Sequence, residues 1–236
     1  MNRRGAATVV AVGAAAAWCA PAPAPIVRPL AELLGIPRRL DSDHGIALTF
    51  DDGPHPQGTP AVLDILRDAG VTATFFLVGE QVERWRAIAA DIAAAGHEIA
   101  VHGYRHRNLL LRTPAGIAAD LDCAMAVIGE ATGRHPACYR PPHGVFSPAG
   151  LVVAERRGLA PLLWSRWGCD WRPRATPQGV ARRVTRDLTA GDVLLLHDAD
   201  HYSCDDSWRT TVAALPLVLA AITATGLPLV AVTQSM

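Results

Sequence analysis

Short apolar runs alternate with stretches of helical apolar spacing along most of the chain, from Ile46 onward. Runs rich in β-branched and aromatic residues predict strands, and stretches opened by Thr-Pro or Ser-Pro predict helices. The predicted strands cover residues 46–48, 72–78, 97–101, 138–139, 159–164, 192–196 and 229–232. The predicted helices cover residues 61–69, 82–95, 114–132 and 207–225, and two more begin at 148 and 177. This alternation is typical of an α/β fold, and seven strands in a single domain favour a distorted or incomplete parallel (β/α) barrel.

The first 25 residues differ from this pattern. Arg3 and Arg4 precede an Ala-rich apolar run that ends at Trp18, and small residues and prolines follow, which resembles a signal peptide. The alternative is a disordered lead, because the run is poor in Leu. The run is too short to span a bilayer comfortably, so we expect no transmembrane anchor in the mature domain. We predict a linker at 26–43 and the folded domain at 44–236.

The location of the protein depends on this lead. A cleaved signal peptide predicts a secreted or cell-envelope protein, whereas a disordered lead leaves the protein in the cytoplasm. The 236 residues are 50% apolar and carry a formal net charge of zero, so nothing indicates a disordered chain. There is also no basic excess of the kind that predicts nucleic acid as a partner. We expect a monomer.

The cysteine count fits an exported protein. Removal of the lead would take Cys19 with it and leave four cysteines, which allow three pairings. We prefer Cys123 with Cys138 and Cys169 with Cys204. Their spacing contains no CxxC, so it does not indicate a zinc–thiolate site.

Polar side chains follow the strands rather than the helices. Asp51 and Asp52 come at the end of the first strand, His102 and His106 follow the third, and His197 follows the strand at 192–196. The C-terminal ends of parallel strands share one rim, where sites are built. We therefore expect these five side chains to lie close together.

One carboxylate and two imidazoles on that rim predict a metal site. Asp52, His102 and His106 form a ligand set suited to Zn²⁺ and other divalent transition metals. Each piece alone has an ordinary explanation, since Asp-Gly-Pro is common in turns and many histidine pairs are solvated. Their shared position favours the metal.

Three further residues are candidates for proton transfer. Asp51 lies beside the predicted metal and is the candidate general base for water, while Arg140 would hold its carboxylate ionised. His197 is placed to act as an acid toward a leaving group. A base that must be ionised and an acid that must be protonated predict a bell-shaped dependence of activity on pH.

Five segments together resemble a known family. TFDDGP, HGYRH, RPPHG, DW and LLLHD occur in the order and spacing of the motifs of NodB-type polysaccharide deacetylases, carbohydrate esterase family 4, over nearly all of the chain from Ile46. The resemblance implies a distorted (β/α) barrel and metal-dependent removal of acetyl groups from N-acetylated sugars. It implies the same roles as those given above. Asp51 resembles the base and His197 the acid, Arg140 resembles the residue that orients the base, and the metal ligands are Asp52, His102 and His106.

The resemblance also implies roles for four other residues. Asp170 matches the aspartate that tunes the catalytic histidine, Trp171 and Leu195 match the apolar wall around the acetyl methyl, and the backbone N–H of His143 matches the group that faces the oxyanion. The chain departs from the pattern at three positions. Gly103 replaces Ser or Thr, His143 stands where Tyr is common, and Trp167 stands where an acid often precedes DW.

The predicted function is removal of N-acetyl groups from a peptidoglycan- or chitin-like glycan, with release of acetate. The expected cofactor is a divalent metal, with Zn²⁺ favoured over Co²⁺, Mn²⁺ or Ni²⁺. The alternatives are an O-acetyl esterase, a small-molecule amidohydrolase and an inactive sugar-binding relative. Several aromatic residues fit either sugar stacking or packing, namely Trp164, Trp167, Trp171, Tyr202 and Trp208.

Overall fold

Seven parallel strands form one curved sheet in the computed structural model, which describes residues 13–41 and 45–233. The strands are β1 (Ala47–Asp51), β2 (Thr74–Leu77), β3 (Glu98–Val101), β4 (Cys138–Tyr139), β5 (Ala160–Pro161), β6 (Arg166–Trp167) and β7 (Val193–His197). Their spatial order is β5-β4-β3-β2-β1-β7-β6, and every neighbouring pair is parallel. No ladder joins β5 to β6 within the described ranges, so the barrel is incomplete, and the predicted fold class is confirmed.

Eight labelled helices surround the sheet. They are α1 (Arg28–Leu33), α2 (Gly58–Ala69), α3 (Gly79–Arg84), α4 (Arg86–Ala94), α5 (Pro114–Thr132), α6 (Pro148–Glu155), α7 (Pro177–Val184) and α8 (Ser207–Ala224). The hydroxyls of Thr113, Ser147 and Thr176 accept hydrogen bonds from backbone N–H groups at the starts of α5, α6 and α7. These caps, each followed by proline, are the helix starts that the sequence predicts.

The core lies between the sheet and the helices. All five residues of β1 are buried, and the ring of Phe50 stacks on that of Phe75 in β2 with 5.1 Å between centroids. Helix α8 packs on the same core through Ala214, Leu215 and Val218, which are fully buried. A parallel sheet covered by helices has apolar strands, and β1 is such a strand, paired on one side with β2 and on the other with β7.

Three elements differ from the prediction. The strand predicted at 159–164 is only β5, because the carbonyls of Leu162 and Leu163 accept hydrogen bonds from Arg140. The last predicted strand is a single bridge between Ile46 and Leu229. The helix predicted at 82–95 is two helices that meet at Trp85.

The segment before β1 contacts the domain. Arg3 and Arg4, on which the signal-peptide prediction depends, lie outside the described residues. Residues 13–19 are helical, and Trp18 Nε1 donates a hydrogen bond of 3.0 Å to the carbonyl of Leu110. Ala24 is fully buried, and α1 lies within the predicted linker. The divisions at residues 25 and 43 stay predictions.

The preferred cysteine pairing is wrong in this structure, where all five cysteines are free thiols. Cys138 is buried in β4, whereas Cys123 lies on the exposed face of α5. Cys169 is buried in the loop after β6, and Cys204 is only partly buried. The spacing of the cysteines and their even number do not determine which of them face one another, since disulfide geometry is set by the fold.

One helix in the described part of the chain, α8, is long and apolar enough to cross a membrane by length and composition. Sequence analysis did not single it out. Pro216 lies inside it, and its inner face packs on the core described above. That packing accounts for the apolar residues on the inner face of α8.

Replacing Phe75 with Ala should lower the free energy of unfolding by about 3–5 kcal/mol, because a fully buried ring would leave a cavity. Chemical denaturation followed by circular dichroism measures this loss. The control is Leu111→Ala at a side chain that is 84% exposed, for which we expect a change within about 0.5 kcal/mol. Equal losses in both variants would contradict the placement of Phe75 in the core.

Candidate active site

The rim at the carboxyl ends of the strands gathers the predicted site residues. Asp51 ends β1, Asp52 follows it, and His197 ends β7, where it is in register with Asp51. His102 follows the end of β3, and His106 lies four residues further on. The structure therefore brings these five side chains together, as the sequence predicts, while their chemical roles stay predictions.

Three of these side chains converge on one point. Asp52 Oδ1 lies 3.4 Å from His102 Nε2 and 3.3 Å from His106 Nε2. One ligand atom from each residue lies within 4.8 Å of the others. The buried Asp52 Oδ1 has no hydrogen-bond partner, although a buried polar atom normally has one.

The state of the two imidazoles explains this missing partner. His102 Nδ1 lies 2.8 Å from the carbonyl oxygen of Arg140, and because a carbonyl can only accept, the neutral tautomer that fits this contact has its proton on Nδ1 and a lone pair on Nε2 toward Asp52. Burial lowers the pKa of His106 to about 3 despite the charge of Asp52, so this ring is neutral. Converging lone pairs around a carboxylate need a cation, and the three residues fit a divalent metal.

The second carboxylate of the pair is held by a buried arginine. Arg140 is fully buried, and its Nη1 donates hydrogen bonds to Asp51 Oδ1 at 2.6 Å and to the hydroxyl of Thr49 at 2.9 Å. Its Nη2 and Nε donate to the carbonyls of Leu163 and Leu162 at 2.8 and 3.2 Å. The guanidinium is therefore fixed, and it binds only one oxygen of Asp51.

His197 is held in place by Asp170. Asp170 accepts hydrogen bonds from the backbone N–H of His197 at 2.7 Å and from the hydroxyl of Thr211 at 2.7 Å, and its Oδ1 lies 3.0 Å from His197 Nδ1. Burial lowers the pKa of His197, but the charge of Asp170 and this hydrogen bond, aided by Asp52 and Asp51, raise it to about 10. The ring is therefore protonated at neutral pH.

These groups line a cavity of about 230 Å³. Its lining residues are Asp51, Asp52, His102, His106, His143, Gly144, Trp164, Trp171, Leu195, His197, Tyr202 and Ser203. Asp52 and His143 have φ angles of 76° and 61°, a left-handed conformation that side chains other than glycine rarely adopt. Strained backbone of this kind concentrates at functional sites, and here it occurs at two residues of the same cavity.

The aromatic residues divide between the cavity and packing. Trp164, Trp171 and Tyr202 line the cavity. Trp167 instead packs edge-on against Trp164, with 6.0 Å between ring centroids, and Trp208 packs against a histidine ring outside this lining. Three of the five aromatic candidates are therefore placed where a sugar ring could reach them.

Two supporting contacts were not predicted by sequence analysis, which named Tyr202 only as an aromatic candidate and did not name Thr211. The ring of Tyr202 stacks on His106 at 4.2 Å, and its hydroxyl donates to Glu80 at 2.8 Å. Thr211 binds Asp170 from helix α8, more than forty positions along the chain. The sequence contains no signal for either contact, because both pairs are brought together only by packing.

The departure at Gly103 has a structural explanation. Its φ is 89°, and a Cβ there would lie 3.2 Å from Asp120 Oδ2. Asp120 accepts hydrogen bonds from the backbone N–H groups of Tyr104 at 2.8 Å and Arg105 at 3.3 Å. A carboxylate on α5 therefore fixes the loop that carries the two histidines.

A second group, His55, Asp200 and His201, also places three ligand atoms near one another. His55 Nδ1 accepts a hydrogen bond of 2.8 Å from the backbone N–H of Gly58, so its Nε2 carries the proton of the neutral ring. That Nε2 lies 3.3 Å from Asp200 Oδ1. This cluster is accounted for by hydrogen bonding.

An incomplete parallel barrel with its ionisable groups gathered at the carboxyl ends of the strands is the architecture of a barrel enzyme. Residues 39–162 match the family described as polysaccharide deacetylase. The chain belongs to that family. The predicted activity, hydrolytic removal of N-acetyl groups from a glycan, is confirmed at the level of the family.

Individual relatives extend over most of the chain. A peptidoglycan-N-acetylglucosamine deacetylase of Bacillus cereus is 34% identical over 191 residues, which cover 80% of this chain and 86% of the relative. A chitooligosaccharide deacetylase of Azorhizobium caulinodans is 32% identical over 203 residues, which cover 81% of this chain and 94% of the relative. The chain also superposes on the solved structure of a peptidoglycan N-acetylglucosamine deacetylase in complex with 4-naphthalen-1-yl-N-oxidanyl-benzamide. The TM-score is 0.80 at 26% identity, and the match covers 87% of this chain and 95% of the solved one.

Replacing Asp170 with Asn should lower the pKa of His197 from about 10 toward 6.5, because burial would no longer be outweighed. An NMR titration of the His197 ring signals in metal-free protein measures the midpoint. Since the folded pKa is raised, protonated His197 stabilises the protein fully below pH 6.5, and this stability is lost as pH rises through about 10. The variant should lose less stability across that window.

The matched control is Asp122→Asn, which removes an exposed carboxylate that binds Arg157. It should leave the His197 midpoint in place. A midpoint that stays near 10 in Asp170→Asn would show that Asp170 does not hold the proton on His197.

Proposed function

We propose that this protein is a divalent-metal-dependent deacetylase that hydrolyses the acetamide of N-acetyl sugars in a cell-envelope glycan. The observation that carries the proposal is the convergence of Asp52, His102 and His106, with Asp51 and His197 lining the same cavity. The names of the relatives support a peptidoglycan or chitin-like substrate. They also support an extracellular or envelope location.

Asp52, His102 and His106 would hold the metal. A carboxylate and two neutral imidazoles favour Zn²⁺, with Co²⁺, Mn²⁺ and Ni²⁺ as alternatives. When bound, the metal supplies Lewis acidity, which polarises the acetamide carbonyl and makes water easier to deprotonate. Tyr202 supports this ligand set by stacking its ring on that of His106.

Asp51 takes the proton from the attacking water. Its Oδ1 is occupied by Arg140, while its Oδ2 lies 3.9 Å from His102 Nε2, on the side of the three ligands. The buried guanidinium holds Oδ1 of this carboxylate, so Oδ2 remains the acceptor. A general base must reach the proton that it removes in a plausible substrate position, and Oδ2 faces that side of the cavity.

His197 gives a proton to the departing amine nitrogen. Asp170 accepts from its Nδ1, so Nε2 carries the second proton of the imidazolium, 4.0 Å from Asp52 Oδ2. Base and acid are thus held by different partners, Asp51 by Arg140 and His197 by Asp170. Acetate and a free amino sugar are the products.

The remaining lining residues position the acetyl group. The backbone N–H of His143 is proposed to stabilise the oxyanion, and Trp171 and Leu195 form the apolar wall around the methyl group. A cavity of about 230 Å³ is smaller than the ~300–1,000 Å³ typical of pockets for drug-sized ligands. It would therefore admit the acetamide of one sugar while the rest of the glycan lies along the rim.

Acetate release tests the function. The purified protein should release acetate from peptidoglycan or from chitin oligomers, lose this activity with a chelator, and regain it with Zn²⁺. Acetylxylan is the comparison substrate for an O-acetyl esterase. Acetate from acetylxylan alone would replace the amidase proposal with an esterase, and no release from any substrate would contradict the proposal.

Two adjacent substitutions separate metal binding from proton transfer. Asp52→Ala should abolish metal retention in equilibrium dialysis. Asp51→Asn should retain metal and lower kcat by about 10²–10⁴-fold, because only the base is removed. The control Asp91→Asn, on the exposed face of α4, should match the unmodified protein. Normal turnover in Asp51→Asn would overturn its role as the base.

A further inference from the structure

A second depression lies between the loop after β6 and helix α7, and we call it the arginine groove. Its volume is about 750 Å³. Gly168, Cys169 and Val180 are buried beneath it. Five arginines with exposed side chains line it, namely Arg172, Arg174, Arg182, Arg183 and Arg186.

The charge of the arginine groove is not balanced within it. Its lining contains no Asp or Glu among the described residues, and of its arginines only Arg186 forms an ion pair, with the exposed Asp187 at 3.3 Å. A different arginine-rich depression, near α1, has acids in its lining, namely Glu32, Asp41 and Asp192. The chain as a whole has 22 basic and 22 acidic residues, so the groove is a local concentration of positive charge.

The arginine groove and the catalytic cavity are lined by consecutive residues of one loop. Trp171 lines the cavity, and Arg172, the next residue, lines the groove. Consecutive Cα atoms are about 3.8 Å apart. A glycan strand with one acetamide in the cavity would meet the arginine groove if it left the cavity along this loop.

Guanidinium groups select a particular ligand chemistry. Their planar donors bind carboxylates and phosphates in a bidentate manner. Several positive charges in one groove repel one another and raise the local concentration of anions. A neutral chitin-like strand offers no group that would offset this repulsion, whereas an acidic strand does.

We propose that the arginine groove binds anionic groups of the substrate, so that the preferred substrate is an N-acetylated glycan bearing carboxylates beside its acetamides. This inference rests on the proposed function and names the substrate class of the same site. The nearest alternative ligand of the same chemistry is a phosphate polymer. The shared loop favours the glycan, because only a strand that also enters the cavity uses both surfaces.

The test compares two substrates in one double variant. Arg174→Gln with Arg182→Gln removes one charge from the loop and one from α7, and it spares the residue next to Trp171. The ratio of kcat/KM for carboxylate-bearing peptidoglycan strands to that for neutral chitin hexamer should fall about tenfold, through KM, which corresponds to about 1.4 kcal/mol. Added salt should lower the same ratio in the unmodified protein.

The matched control removes two exposed arginines outside the groove, Arg84→Gln with Arg134→Gln. An unchanged ratio in the groove variant, or an equal fall in the control, would overturn the proposal. Polyphosphate serves as the competitor. Inhibition by polyphosphate that needs the groove arginines, together with an unchanged substrate ratio, would assign the groove to a phosphate polymer and also overturn it.

Failure of the proposed function would be distinguishable. If the unmodified protein releases acetate from neither substrate, co-sedimentation with carboxylate-bearing peptidoglycan in the presence of chelator tests the groove by itself. Weaker binding of the groove variant than of the control variant would support the groove. Equal binding of the two variants would overturn it.

Discussion

The buried guanidinium of Arg140 is the group on which the rest of the site depends. The guanidinium binds one oxygen of Asp51. The backbone carbonyl of the same residue faces Nδ1 of His102 and sets the tautomer of that ring. The guanidinium also binds the carbonyls of Leu162 and Leu163, where the sheet stops pairing. A buried charge is tolerated only when it is fully paired, so one residue couples the end of the sheet to the orientation of both Asp51 and His102.

The site keeps similar side chains in opposite states. Burial lowers the pKa of His106 to about 3, whereas the carboxylate of Asp170 raises that of His197 to about 10. A neutral imidazole suits metal binding and a protonated one suits proton donation. Asp51 and Asp52 are likewise divided, since one faces an arginine and the other faces two lone pairs. Environment, rather than residue type, assigns the roles.

The catalytic cavity and the arginine groove share one short loop after β6. Asp170 and Trp171 belong to the cavity, and Arg172 belongs to the groove. The loop therefore both holds the protonated histidine and carries an arginine of the groove. In the proposed function, chemistry at one sugar and recognition of its neighbours would be linked by these consecutive residues, which would give the small cavity a way to act on a polymer.

The sequence by itself determined the βα alternation, the proline-capped helix starts and the placement of Asp51, Asp52, His102, His106 and His197 on one rim, because these follow from local periodicity and from the geometry of parallel strands. The short β5, the free thiols, the tautomer of His102 and the contacts of Tyr202 and Thr211 were decided only by the tertiary structure. Each depends on atoms far apart in the chain, whose pairing no local pattern encodes. The arginine groove belongs with them, because its charges surround a depression only once the loop has folded against α7.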